Sequence, residues 1–443
     1  HECGIAFIRL LKPQQYYIDK YGTSSYALNK MYLLMEKQHN RGQDGAGLAY
    51  IKFDTLPGEE YINRLRSTKT QPLQDIFTRV FNEFNTKTKS FPKQRLNAEW
   101  LKQNISSAGE LFLGHLRYGT HGANSIGACH PFIRKNNWRS RNLVMAGNFN
   151  LTNVDELIDF LIEIGQHPIQ KRDTVTVMEK IGHYVDSDVQ RIYDKYKGSN
   201  HDRKAISSFI EKELDIEEIL KLAAKDFDGG YLMAGLIGHG DAFVLRDPNG
   251  IRPGYYYMDE EVVVVASERP AIQTSFNLSS DKVKVIPPGH ALIVKKDGKV
   301  SLKQCLPERE ILSCSFERVY FSRGTDTEIY KERLALGYGL TEKVMKEINY
   351  DYENTVFSFI PNTAEVAFYG MMKGIEEHIN THKQTQIEAD PDLSSDALNR
   401  LLSLRPRVEK IIVKDVKMRT FITEDTARDE MVSHVYDITY DSI

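Results

Sequence analysis

The sequence predicts two domains of different architecture, a strand-rich α+β domain over residues 1–305 and an α/β domain over 306–443. Two observations carry this. Between about residues 110 and 300 the chain reads mainly as strands and tight turns, with hairpin signals at Gly238-His239-Gly240-Asp241 and at Asp297-Gly298. Beyond about residue 305 strands and helices alternate: Arg318–Ser322, a helix over 330–348, Thr355–Ile360 and a helix near 364–378. That alternation indicates a parallel sheet, and the boundary is expected near Cys305-Leu306-Pro307. Within the first domain, Ile5-Ala6-Phe7-Ile8 reads as a strand. Leu28, Met31, Tyr32 and Met35 follow the spacing of a helix face, with Thr23 or Ser24 as cap. Val262–Ala266 has β-branched residues at four consecutive positions, which suits a strand buried on both faces. A helix is expected after Asn153, with Glu156 completing a capping box and Gly165 ending it. Charge-rich stretches at 65–107 and 195–215 read as surface insertions.

Composition excludes several classes. The 443 residues, 41% hydrophobic and 27% charged, suffice for two or three ordinary cores. Lys plus Arg (58) against Asp plus Glu (61) leaves a formal charge of −3. That balance supports neither a nucleic-acid nor a polybasic membrane role. Apolar stretches are about as long as Val262–Ala266, far short of the ~18 residues that span a bilayer. Cysteines at 3, 129, 305 and 314 are too few and too scattered for a disulfide framework, so a reducing, cytoplasmic setting is expected. The chain starts with His, not Met, so it need not be a whole gene product.

Four segments could carry chemistry. Cys3 precedes the first strand and alone would read as a small buried hydrophobe. Arg41-Gly42-Gln43-Asp44-Gly45-Ala46-Gly47 is glycine-dense and lacks a phosphate-loop lysine. Gly114-His115-Leu116-Arg117-Tyr118-Gly119-Thr120 and Gly147-Asn148-Phe149-Asn150-Leu151-Thr152-Asn153 complete the set. Each alone would be a turn that happens to carry glycine. Together and in this order they resemble the glutaminase domain of the N-terminal-nucleophile (Ntn) amidotransferases. Arg246-Asp247-Pro248-Asn249-Gly250-Ile251-Arg252-Pro253, Ala266-Ser267-Glu268, Pro288-Gly289 and Cys314–Arg323 narrow the resemblance to the glutamine phosphoribosylpyrophosphate (PRPP) amidotransferase family.

The resemblance implies a four-layer αββα Ntn-hydrolase domain followed by a phosphoribosyltransferase domain with a mostly parallel sheet. It implies that Cys3 attacks the side-chain amide of glutamine, with the nucleophile's own α-amine as base, releasing ammonia and leaving a γ-glutamyl thioester. Asn148 and the backbone N–H of Phe149 would stabilise the oxyanion. Position 149 is commonly Gly in the family, so here a bulky ring must point away. Arg117 would grip the α-carboxylate of glutamine, supported by Thr120, with Arg41 also at the glutamine site. Asp173 would receive the α-ammonium, the lesser alternative being a helix N-cap. His1-Glu2 still precede Cys3, so the chain would need processing to free that amine, or be weakly active.

In the second domain, the resemblance implies PRPP binding by acids at a strand end and by backbone N–H groups at a helix start. Asp441 and Ser442 match the beginning of that signature, and residues are expected to be missing between Tyr440 and Asp441 and after Ile443. Thr363 lies in another PRPP-contacting turn, where Asn362 replaces a common Asp. Mg²⁺ is expected with PRPP. One cysteine at a cluster-ligand position, Cys314, does not support an iron–sulfur centre. The implied activity makes 5-phosphoribosylamine, glutamate and pyrophosphate, the first step of de novo purine synthesis. The implied assembly is a homodimer or homotetramer inhibited by purine nucleotides. The competing reading is an inactive paralogue that binds glutamine or nucleotides as a regulatory module.

Overall fold

The computed structural model describes residues 3–119, 125–168, 170–198, 203–414 and 436–439. These fall into two compact units that divide between Glu317 and Arg318. The strands of the first unit are β1 (Gly4–Leu10), β2 (Gly45–Ile51), β3 (Ile62–Ser67), β4 (Leu111–Arg117), β5 (Phe132–Arg134), β6 (Leu143–Leu151), β7 (Gly229–Ile237), β8 (Ala242–Arg246), β9 (Tyr255–Met258), β10 (Val262–Ala266), β11 (Lys284–Val285), β12 (His290–Val294) and β13 (Val300–Gln304). Its helices are α1 (Gln14–Tyr21), α2 (Tyr26–Glu36), α3 (Pro72–Ser90), α4 (Ala98–Asn104), α5 (Val154–Glu163), α6 (Asp173–Tyr196), α7 (Arg203–Glu213), α8 (Ile216–Ala224) and α9 (Arg269–Phe276).

Two antiparallel sheets result, in the orders β11-β9-β10-β1-β4-β2-β3 and β13-β12-β8-β7-β6-β5. Both expected hairpins form: Leu236 pairs with Ala242, and Val294 with Val300. β1 is buried at every residue because its alternating side chains enter two different cores. Ala6, Ile8 and Leu10 face Leu28, Met31 and Met35 of α2. Ile5 and Phe7 face the other way and share a core with Val144 and Ala146 of β6 and Leu232 and Ala234 of β7. The opposite side of β6 and β7, through Met145, Phe149 and Met233, packs on Val177, Met178 and Ile181 of α6. Val262–Ala266 is buried throughout, as its composition predicts.

Several local expectations are corrected. The charged stretches are amphipathic helices, not appended surface. Ile76, Phe77 and Val80 of α3 and Ile206 and Ile210 of α7 are core residues, and the charges lie on the outer faces. Ser25, not Thr23 or Ser24, precedes α2, and its hydroxyl meets Thr23 Oγ1 at 3.1 Å instead of capping the helix. Asn153 precedes α5 without forming a capping box. Its amide donates to Asp226 O and its oxygen accepts the Asp228 N–H. Gly165 follows α5 at φ +84°, as expected of a stop. Residues Phe316–Phe321 wind as a short π-helix where a strand was expected. The winding lets Glu317 meet Arg41 and Arg252, tertiary bonds that override the strand propensity of Val, Tyr and Phe.

The second unit contains α10 (Thr327–Glu347), β14 (Val356–Phe357), α11 (Glu365–Ala389), α12 (Ser395–Ser403), β15 (Arg407–Val408), β16 (Ile412–Lys414) and β17 (Tyr436–Ile438). Asp326 caps α10, accepting the N–H of Glu328 and Ile329. Met345, Phe357, Phe368, Met372 and Ile375 form its core. The expected strand over 355–360 is two residues long, and α11 runs past 378 to Ala389, its buried positions ending at Ile379. β14 and β15 pair in parallel, and β16 and β17 antiparallel. Among the described residues, no helix is long and apolar enough to cross a membrane.

Candidate active site

Cys3 sits immediately before β1 and is buried. The backbone just after it is pinned on both polar groups. Ile5 N–H donates to Ser267 Oγ at 3.0 Å, and Gln38 Nε2 donates to Ile5 O at 3.0 Å. Gln38 Oε1 in turn accepts the Ser267 N–H. The Ala266-Ser267-Glu268 segment thus holds the strand that presents the thiol, a role its sequence did not disclose.

A cavity of about 650 Å³ opens beside Cys3. Arg117, Phe149 and Asp173 line it, so three separated motifs and the thiol converge on one space. Arg117 ends β4 and is almost fully buried. Its carbonyl accepts the Asp44 N–H at 3.1 Å, while Asp44 Oδ2 accepts the Gly119 N–H at 2.7 Å. The glycine-dense segment therefore braces the turn that follows the arginine. Asp173 is the first residue of α6 and not its cap, a place Arg172 holds. Its carboxylate accepts the Thr174 N–H at 2.7 Å, and burial raises its pKa.

Asn148 lies between two residues that line the cavity, Gly147 and Phe149, but does not line it. It is fully buried, and neither its amide nitrogen nor its oxygen has a hydrogen-bond partner. Such a group costs about 1–3 kcal/mol unless a ligand satisfies it. Alternation along β6 places Asn148 on the side of Val144 and Ala146, the face shared with Ile5 of β1. The backbone N–H of residue 149 follows the same logic. Thr152 N–H points to β7, where it meets Asp228 O, whereas Gly147 N–H points away from β7 and meets His130 Nδ1 at 3.2 Å. Phe149 has the parity of Gly147, so its N–H is turned to that same open edge. The expected problem of its bulk is solved locally: a Cβ at Gly147 would lie 2.2 Å from the Phe149 ring, which fills the space over that glycine.

Two histidines not anticipated as site residues also line the cavity. His115 is fully buried, His130 is half-buried, and the two rings stack with centroids 4.2 Å apart. Burial holds His115 down to about 3 and His130 well below the ordinary imidazole value, so both are neutral. Position 47 must be glycine for His130 to sit there, since a Cβ would lie 1.8 Å from its carbonyl oxygen. For His115 a signal existed: it is two residues from Arg117 on one strand. For His130 there was none.

Arg41 is placed elsewhere. It does not line the cavity and is fully buried. Its Nε meets Glu268 at 2.7 Å, and Nη1 and Nη2 meet Glu317 at 3.1 and 2.8 Å. Thr363 lies half-buried in the second unit, in the turn before α11. Thr120, Asp441 and Ser442 lie outside the described residues, as does the expected break at Tyr440. Cys129 and Cys305 are buried thiols whose pKa burial raises to about 11, and Cys314 is partly exposed.

No protein-family model matches the chain. An amidophosphoribosyltransferase of Pasteurella multocida is 27% identical over 321 residues, covering 70% of this chain and 53% of its own length. The Escherichia coli amidophosphoribosyltransferase is 30% identical over 269 residues, covering 58% of this chain and 48% of its own. The chain thus spans about half the length of the curated relatives it matches. Among solved structures, the glutamine PRPP amidotransferase of B. subtilis complexed with ADP and GMP superimposes with a TM-score of 0.56 at 19% identity, covering 97% of this chain and 70% of that one. A structure described as the allosteric regulatory enzyme of purine biosynthesis gives a TM-score of 0.58 at 20% identity, with the same coverage. The chain is therefore similar in sequence to amidophosphoribosyltransferases and in fold to solved PRPP amidotransferases.

Proposed function

We propose that this chain is the glutaminase part, with some of the transferase part, of a glutamine-dependent amidophosphoribosyltransferase. The observation that carries the reading is the convergence of Cys3, Arg117 and Asp173 on one cavity. In this reading the first unit is an Ntn-type αββα domain. The guanidinium of Arg117 and the carboxylate of Asp173 hold the two charged ends of the α-amino acid, which leaves the side-chain amide to reach Cys3. As the Cys3 sulfur bonds to the amide carbon, the thiol's proton passes to the amide nitrogen, the C–N bond breaks and ammonia leaves. Water then hydrolyses the thioester to glutamate. The Asn148 amide and the Phe149 N–H would receive the oxyanion formed in both steps, each donor typically worth about 3–4 kcal/mol.

The second unit would hold PRPP, whose C1 ammonia attacks as pyrophosphate departs. Thr363, at the start of α11, suits phosphate binding, with Asp441 and Ser442 completing the site. Mg²⁺ would neutralise the departing pyrophosphate. Among the described residues no three His, Cys, Asp or Glu side chains gather to hold an ion, so no step is assigned to it. Purine nucleotides as inhibitors and a homo-oligomeric state complete the proposal. The test is a pair of assays on the purified chain and on Cys3→Ala. Release of ammonia from glutamine should fall by more than about 10³-fold in the variant, whereas ammonia-dependent phosphoribosylamine formation should survive wherever the wild type shows it. Glutamine turnover that persists in Cys3→Ala would refute the reading.

A further inference from the structure

We propose that His115 determines the choice of leaving group: its Nδ1 accepts an N–H of the substrate's primary amide, so the Cys3 site takes carboxamides and turns away carboxylates. The inference rests on the glutaminase reading and adds to it a contact that neither the nucleophile nor the oxyanion donors supply.

The position comes from register. Ile5 lies directly opposite His115 on β4, and Leu113 and Ile5 share the inter-sheet core. Cys3, two residues before Ile5 along the chain, projects to the same side as Ile5 and His115, and Cys3 and His115 both line the cavity. The protonation pattern comes from a single residue. His115 Nε2 lies 3.2 Å from Gly147 O, and a carbonyl only accepts, so Nε2 carries the proton and Nδ1 is a bare lone pair. Gly147 N–H in turn donates to His130 Nδ1 at 3.2 Å, which leaves His130 Nε2–H to donate to Thr174 Oγ1 at 3.0 Å. The two polar groups of one peptide residue thereby fix both imidazoles, and the stack at 4.2 Å keeps the rings from turning.

What remains is an acceptor with nothing to accept. His115 Nδ1 is buried and has no partner, a desolvation cost that an incoming N–H would remove. The ring stays neutral because burial depresses its pKa to about 3, so it acts as a hydrogen-bond acceptor and not as a base. A carboxylate offers no N–H and sets its own lone pairs against Nδ1. The product glutamate is therefore held less well than glutamine.

The test compares kcat/KM for L-glutamine with that for the γ-methyl ester of L-glutamate, which has no N–H at the reacting centre. Wild type, H115F, H115L and H115N are measured in the full chain. Phenylalanine keeps a flat ring against His130 but has no acceptor, leucine guards against a fault peculiar to phenylalanine, and asparagine returns an oxygen near the place of Nδ1. The amide-to-ester ratio is expected to fall by at least about 30-fold in H115F and H115L, and to recover most of that in H115N. Ratios within about threefold of wild type in both, whether the two rates fall together or not at all, would overturn the proposal. A wild type that cleaves neither compound would instead defeat the glutaminase reading and the inference with it.

Discussion

The first unit contains two buried polar clusters that differ in one respect. Around Arg41 every nitrogen of the guanidinium meets a carboxylate oxygen. Beside the Cys3 cavity, both amide atoms of Asn148 and the Nδ1 of His115 have no partner. A buried polar group without a partner costs stability unless something else repays its desolvation. The saturated cluster is therefore cement, joining residues 227 and 276 positions apart in sequence. In the proposed reading, the unsaturated one is kept for the substrate.

The comparison can be broken from either side. The largest effect is expected at the saturated cluster. Arg41→Ala should cost about 3–5 kcal/mol, because Glu268 and part of Glu317 would be left buried without their partner. A shift of the urea midpoint reads this directly. Lost glutamine turnover with stability intact would instead return Arg41 to the substrate site that sequence resemblance assigned it.

A smaller effect is expected of pH. Both cavity histidines have folded pKa values below the ordinary 6.5, so the fold holds them neutral while the unfolded chain protonates them. Their contribution to stability is complete above about pH 6.5 and is lost as pH falls below it. The slope is about 1.4 kcal/mol per pH unit for each, until the folded value, about 3 for His115, is reached. Denaturant midpoints between pH 7.5 and 5.5 should fall more steeply in wild type than in His130→Gln. Equal slopes would show that His130 is not held neutral.

Much of this was legible in the sequence, for identifiable reasons. Continuous apolar runs gave β1, β10 and both hairpins because those strands are buried on both faces and the hairpin turns carry Gly or Asp-Gly. Cys3, Arg117 and Asp173 were singled out by the family resemblance of the segments that carry them, and the fold brings all three to one cavity. Arg41 shows the limit. A guanidinium in a glycine-rich segment reads equally as a ligand contact or as an ion pair, and its partners lie too far along the chain to be seen. His130 and Thr174 were invisible for the same reason, since what makes them site residues is a shared connection through Gly147 and not local spacing. The helices α3 and α7 were misjudged because their charge content outweighed a buried face of a few apolar residues.

The central claim is that the unsatisfied groups beside Cys3 are kept for a substrate, and Asn148→Ala tests it most directly. Glutaminase kcat/KM and unfolding free energy are measured on the same preparation. The expected result is a fall of about 10²–10³-fold in turnover, with stability equal to wild type or higher, because the carboxamide has no partner in the protein to lose. A loss of several kcal/mol in stability with turnover unaffected would contradict it, and would make Asn148 part of the cement.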